Sequence, residues 1–476
     1  MQPARKDRRL NQTILGIDIG STKICTIIAD IKDGVPHVIG TGIHKSQGLK
    51  KGAITNIELA SRAIKSAIND AKRVAGTNFS KAIVSISGVY TKSINSSGIV
   101  NIPNSEIGIK EINRVMQTAL YNATIPNEYE VLHVLPYNFK VDDQDFIDDP
   151  LGMSGNRLEV FVHIVTAQRS SLGNLKKAVK AAGVEIENIV LSAYASAIAV
   201  LNDDEKELGV ACIDMGGSTC DLMVHAGNSI KYNDFLGVGS NHITNDLSMA
   251  LRTPLSAAER VKVEYGSLNK HQDSGGDLIE LPIIGDESST HQVSLEVVHN
   301  VIYARVEETL MILAKSLEKS MLKEHLGAGV VLTGGMVKLD GIRELAGAIF
   351  SHMPVRIARP LEIDGLFENL RDPSYATAIG LILYGAGRFT NYEIDSEKKI
   401  RFKTEKFHEE GGSIPPLLST PEIKESPRNS SLTPPAESKS AADIKHDLSK
   451  IAEIQKSKKE GPNPFTKFWQ WLTQLF

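Results

Sequence analysis

From residue 13 to about residue 388 the chain alternates short apolar runs with segments whose apolar positions recur at helical spacing. Residues 14–17, 24–29, 210–213 and 330–333 are runs of strand length, whereas 191–200, 254–265, 342–350 and 375–385 carry the helical period. That alternation predicts an α/β body. Past residue 389 the pattern changes. Charges dominate up to Glu410, then a Pro- and Ser-rich stretch holds Pro415, Pro416, Pro421, Pro427, Pro434 and Pro435. Such a composition cannot bury enough apolar surface to offset its ordering entropy, so residues 391–463 are expected to form a disordered linker. Within it, residues 441–459 are expected to be partly helical. A short apolar tail, residues 464–476, closes the sequence.

Inside the body one pattern occurs twice. Residues 14–23 read as an apolar strand ending in Asp18, a turn with Gly20, Ser21 and Thr22, then Lys23 and a second strand. About 196 positions later the same layout returns, with Asp214 followed by Gly216, Gly217, Ser218 and Thr219. The repeat predicts a duplicated pair of domains. Each hairpin suits a nucleotide tail. Glycine lets the backbone approach a phosphate closely, and successive N–H groups of such a turn form an anion-binding nest. The Ser and Thr hydroxyls add donors, and Lys23 adds a positive charge for a β-phosphate. Asp18 and Asp214 are expected at strand ends, facing each other across a cleft. Two carboxylates beside a polyphosphate repel it unless a cation lies between them, and Mg²⁺ that keeps most of its waters suits that place. A third Gly-rich turn, Gly334-Gly335-Met336, follows the strand run at residues 330–333, as a backbone lying flat against an adenosine requires.

The composition narrows the possibilities. Of 476 residues, 41% are hydrophobic and 23% charged, which fits a globular protein; a net charge of -4 gives no reason to propose nucleic acid as a partner. Arg5, Lys6, Arg8 and Arg9 have no apolar stretch behind them, so they do not read as a secretory signal. No run of about 18 apolar residues occurs, so membrane contact is expected from the surface alone. Cys25, Cys212 and Cys220 fit neither a disulfide framework nor a zinc site; they read as small buried thiols in a reducing, cytosolic compartment.

Both tryptophans sit in the apolar tail. A helix beginning near Pro464 and advancing about 100° per residue puts Phe465, Phe468, Trp469, Leu472, Leu475 and Phe476 on one face, with Trp471 at its edge. Lys467, Gln470 and Gln474 fall opposite. This is an amphipathic helix too short to span a bilayer but suited to its interface.

The order of hairpin, connecting helix, hairpin, Gly-Gly turn and second connecting helix resembles the superfamily of actin, heat-shock chaperones and sugar kinases. Asp18–Lys23, Asp214–Thr219 and residues 331–336 resemble its two phosphate motifs and its adenosine motif. Residues 191–200, with Ala193, Ala195 and Ala197, and 375–385, with Ala376, Ala378 and Gly380, resemble its small-residue connecting helices. Glu259 and Lys262 resemble its ribose- and adenine-contacting pair, one helical face apart by three residues. Within that superfamily the chain is similar to the bacterial cell-division family FtsA: residues 87–166 resemble the family's extra subdomain, residues 236–265 its subdomain 2B, and a linker leads to an amphipathic end.

The resemblance implies duplicated actin-like (RNase H-like) domains around a cleft for ATP and Mg²⁺, the metal reached from Asp18 and Asp214 through water. It implies a tail at 1–12, subdomain 1A at 13–86, 171–206 and 371–390, subdomain 1C at 87–170, subdomain 2A at 207–235 and 306–370, and subdomain 2B at 236–305. It implies a protein on the cytoplasmic face of the inner membrane that anchors the ring of the tubulin-like GTPase FtsZ, forms homopolymers and recruits later division proteins. FtsZ's C-terminal tail is expected at subdomain 2B. Where the chaperones start the first connecting helix with an acidic residue that positions the attacking water, this chain has Ser192, which argues for weak hydrolysis at most. A pilus-assembly adaptor like PilM or a sugar kinase of the same fold are the alternatives.

Overall fold

The structure is a computed structural model that describes residues 12–403, apart from 33, 78, 270–275 and 352. The expected tail helix and most of the expected linker lie outside the described residues.

Strands β1 (Gln12–Ile19), β2 (Lys23–Lys32) and β3 (Val35–Lys45) form an antiparallel meander. Helix α1 (Ile57–Ala75) then crosses to β4 (Lys81–Ile86), which pairs parallel with β1. The ends of α1 are written in the sequence: Asn56 caps the Leu59 N–H, and Gly76 ends the helix in the left-handed region at φ 67. Its buried stripe, Ala60, Ala63, Ile64, Ala67, Ile68 and Ala71, is the helical period of a helix lying on a sheet.

An inserted unit follows: β5 (Thr91–Asn101), α2 (Ile109–Asn122), β6 (Tyr129–Val141), β7 (Gln144–Ile147) and β8 (Arg157–Gln168). Its sheet order is β5-β8-β6-β7, and it has its own core around Ile112, Val115, Met116, Val160 and Val162. Helix α3 (Arg169–Ala181) returns the chain to β9 (Glu185–Leu191), giving a first sheet of order β9-β4-β1-β2-β3.

Helix α4 (Ser192–Val200) leads into the second half, where the plan repeats. Strands β10 (Val210–Met215), β11 (Cys220–Ala226) and β12 (Ser229–Leu236) are the meander. Helices α5 (Ser240–Ala250) and α6 (Leu255–Tyr265), a hairpin of β13 (Leu278–Ile283) and β14 (Asp286–Ser294), and α7 (Leu295–Lys319) follow. Then come β15 (Gly329–Thr333), α8 (Ile342–Ile349) and β16 (Val355–Ile357), and the second sheet has order β12-β11-β10-β15-β16. Three antiparallel strands continued by two parallel ones, in the same order twice, make the duplication read from the hairpins a property of the whole fold.

Helix α9 (Ala376–Gly385) brings the chain back to the first half and crosses α4. Both helices are buried almost all round, which explains their small residues. The crossing is close enough that a Cβ on Gly380 would lie 1.8 Å from the Ala195 carbonyl oxygen, so only glycine fits there.

The expected end of the folded body near residue 388, with a linker from 391, is corrected by the structure. Residues 389–403 are a packed strap. Ile394 and Val134 exchange both backbone hydrogen bonds, at 2.9 and 3.0 Å, and Tyr392 donates to Asp149 at 2.6 Å. The strap's charges resemble those of a linker, but two of its carboxylates, Glu393 and Asp395, are buried and hydrogen-bonded. Glu393 accepts from Tyr194 of α4 at 2.7 Å and from Tyr384 of α9 at 2.5 Å, and Asp395 accepts from Asn188 at 2.8 Å. Burial pushes the Glu393 carboxyl up to about 7. The three cysteines are free and buried, as their apolar surroundings predict.

Candidate functional site

A cleft of about 470 Å³ opens where the two hairpins face each other. The hairpins share one turn geometry: the Gly20 N–H donates to the Lys23 carbonyl at 3.1 Å, and the Gly216 N–H to the Thr219 carbonyl at 2.8 Å. They also touch, since a Cβ on Gly217 would lie 2.4 Å from Thr22 Cγ2.

Asp18 and Asp214 are the next-to-last residues of β1 and β10. Ser85 donates to Asp18 at 2.8 Å. Asp214 accepts from Ser196 at 2.6 Å and from Thr377 at 3.1 Å, one hydroxyl from each crossing helix. The carboxylate of the second hairpin is thus fixed by both hinge helices. Burial pushes the Asp18 carboxyl up to about 6, with Asp214 adding to the rise; burial raises Asp214 likewise. Two carboxylates that resist ionising, one buried and one half-buried, fit a cation held between them. Among the described residues no group of three or more His, Cys, Asp or Glu is arranged to ligate a metal directly. A metal here would therefore be held mainly by waters and ligand oxygens, as suits Mg²⁺.

Lys23 extends from the first hairpin to the loop before α9. Its Nζ donates to Ser374 at 2.5 Å and lies 3.4 Å from the centre of the Tyr375 ring. Burial lowers its proton affinity, and the neighbouring carboxylates offset part of that. On the far wall, Lys262 is almost buried and donates to Glu259 at 2.7 Å and to Thr244 at 2.9 Å. Burial works to raise the Glu259 carboxyl, but Lys262 and Thr244 hold it below its usual value. The Gly334-Gly335 turn follows β15, and the Gly334 N–H is anchored on the Pro373 carbonyl at 3.2 Å.

Of the residues singled out in the sequence, Asp18, Gly20, Ser21, Thr22, Lys23, Asp214, Gly216, Gly217, Thr219, Glu259, Lys262, Gly334, Gly335 and Met336 all line this one cleft. Ser218 does not, and its hydroxyl accepts from Asn241 at 3.1 Å. Ser192 lines the cleft at the first turn of α4, where a hydroxyl cannot take the place of a carboxylate. The sequence does not single out the hydroxyls of Ser85, Ser196, Ser374 and Thr377, because single Ser and Thr residues in apolar or loop contexts carry no local signal. Asp221 is a further cleft residue that the motifs did not include. A signal for it was present, for an aspartate near the start of a buried strand needs a partner.

Comparison with known proteins agrees with this geometry. Residues 211–380 match the family model for cell division protein FtsA, and residues 88–166 match the model for the SHS2 domain inserted in it. The chain is 45% identical over 420 residues to the cell division protein FtsA of Helicobacter pylori, covering 82% of this chain and 85% of that one. It is 32% identical over 401 residues to the Escherichia coli protein of the same name, covering 83% and 94%. Among solved structures, a chain of the PilM–PilN type IV pilus biogenesis complex superposes with a TM-score of 0.57 at 18% identity, covering 79% of this chain and 99% of that one, which is a likeness of fold. With an actin-like fold, an SHS2 insertion and relatives this similar over most of its length, the chain belongs to the FtsA family of bacterial cell-division proteins.

Proposed function

We propose that the cleft binds Mg·ATP as a structural ligand and that the protein ties the FtsZ ring to the cytoplasmic face of the inner membrane. The observation that carries the nucleotide reading is the pair of equivalent hairpins, each with an aspartate at its strand end, closing on one cleft. The peptide N–H groups of the turns and Lys23 bind the phosphates. Lys23 exchanges Ser374 and the Tyr375 face for a phosphate oxygen. Glu259 and Lys262 contact the ribose and base, and the Gly334-Gly335 turn supports the adenosine. Bound Mg²⁺ supplies the charge that lets Asp18 and Asp214 ionise beside a polyphosphate. Ser192 leaves hydrolysis weak, so nucleotide holds the two halves together and licenses polymerisation rather than driving turnover.

Subunits stack head to tail, a contact that does not close and so grows a filament. Residues 236–305 form the FtsZ-binding subdomain, and residues 465–476 supply the membrane anchor. Depletion of the protein from growing cells tests the reading. Long, undivided cells are expected; normal division after complete depletion would rule the role out.

A further inference from the structure

The inserted unit is tied to the far wall of the cleft at its root. Asp221 is the second residue of β11, directly after the second hairpin, and is the cross-strand partner of Asp214. Its buried carboxylate accepts the Gly88 backbone N–H at 2.9 Å through one oxygen and the Thr219 hydroxyl at 3.1 Å through the other. Gly88 is the first residue of the inserted domain and lies two positions after β4. A side chain has no room there, for a Cβ would meet Asp221 Oδ1 at 2.5 Å and Phe235 Cβ at 2.8 Å. The Thr91 N–H and hydroxyl both bond to the Gly88 carbonyl, at 3.0 and 2.6 Å, which fixes the turn into β5. A second tie lies farther along the same contact. His163 of β8 bonds Asn95 of β5 through Nδ1 and Asn233 of β12 through Nε2, both at 2.8 Å.

We propose that Asp221 is a positioning residue that passes the nucleotide state of the second hairpin to the inserted domain through Gly88. This rests on the reading of the cleft as a nucleotide site. Asp221 and the phosphate-facing loop are two ends of one turn, and Thr219 belongs to both: its hydroxyl is held by Asp221, and its carbonyl closes the hairpin. A phosphate that draws the loop N–H groups toward itself shifts Thr219 and therefore Asp221. The shift reaches Gly88 through the hydrogen bond from its N–H to Asp221 Oδ1, at a contact with no room for a side chain. Closing the hairpin on phosphate and seating the inserted domain on β11 and β12 become one event.

Hydrogen exchange of residues 88–101 and 157–168 in the full-length protein, without nucleotide and at saturating Mg·ATP, tests this, with occupancy checked on the same samples. The wild-type chain is expected to exchange at least several-fold more slowly in these segments when ATP is bound. Asp221→Asn keeps an acceptor for the Gly88 N–H and should retain the effect. Asp221→Ala removes the acceptor, and Gly88→Ala forces the contact apart by setting a Cβ against the carboxylate while leaving residue 221 as aspartate. Both should lose most of the ATP-dependent slowing in residues 88–101 at full occupancy. Full slowing in a folded, ATP-saturated Asp221→Ala or Gly88→Ala protein would overturn the coupling, as would no ATP-dependent slowing in the wild type. If neither variant can be saturated, Asp221 is a nucleotide ligand and the positioning role is wrong. Failure of the wild-type chain to bind ATP at all would instead sink the nucleotide reading, and the coupling with it.

Discussion

Asp214→Ala is expected to weaken Mg·ATP binding by at least about thirtyfold while the protein stays folded. The carboxylate is half-buried, lies near the end of β10 and is held by one hydroxyl from each crossing helix, so it is fixed before ligand arrives. Truncating one partner of a buried charge interaction costs on the order of 2–5 kcal/mol, and about 1.4 kcal/mol is a factor of ten. The fold should tolerate the change. Asp214 has no salt-bridge partner among the described residues, its ionised form is disfavoured by burial, and Ser196 and Thr377 remain 2.9 Å apart to bond each other. Titration with a fluorescent ATP analogue, beside a thermal melt, checks both halves. Ordinary affinity in a folded variant would remove the second hairpin from the site.

Deleting residues 465–476, or changing Trp469 and Leu472 to charged residues, is expected to release the protein from anionic vesicles without altering ATP binding. These residues lie outside those the structure describes, and the prediction stands on their sequence. One helical face collects Phe465, Phe468, Trp469, Leu472, Leu475 and Phe476. At roughly 25 cal/mol per Å² of apolar area withdrawn from water, that face is the chief source of attachment, and tryptophan favours the interfacial depth. Lys456, Lys458, Lys459 and Lys467 add attraction to anionic lipid, on the order of 1 kcal/mol each at the surface. A single short helix binds reversibly, so filaments should hold the membrane more firmly than monomers do, by avidity. Co-sedimentation with liposomes reads the result. Equal binding by the truncated and intact proteins would place the anchor elsewhere.

The parts of this architecture that follow local rules are legible in the amino-acid sequence. Apolar strands that end in aspartate and break at glycine announce both hairpins, and their repetition announces the duplicated sheets. Small residues at helical spacing announce α4 and α9, since a crossing that puts Gly380 against the Ala195 carbonyl admits nothing larger. What the sequence conceals depends on long-range pairing. Glu393 and Asp395 look like solvated charges until Tyr194, Tyr384 and Asn188 are brought to them from far along the chain. Ser196 and Thr377 look like filler in apolar helices until both meet Asp214. Ser218 looks like its neighbour Thr219, yet Asn241 takes its hydroxyl.

The central claim is that nucleotide, polymer and membrane contact serve one purpose, the tethering of FtsZ. Reconstitution on a supported bilayer containing anionic lipid tests it most directly. With the intact protein and Mg·ATP, labelled FtsZ polymers should collect on the bilayer. They should fail to do so with FtsZ lacking its C-terminal tail, or with the chain lacking residues 465–476. Recruitment of FtsZ that is indifferent to both deletions, or no recruitment by the intact, ATP-loaded protein, would contradict the account.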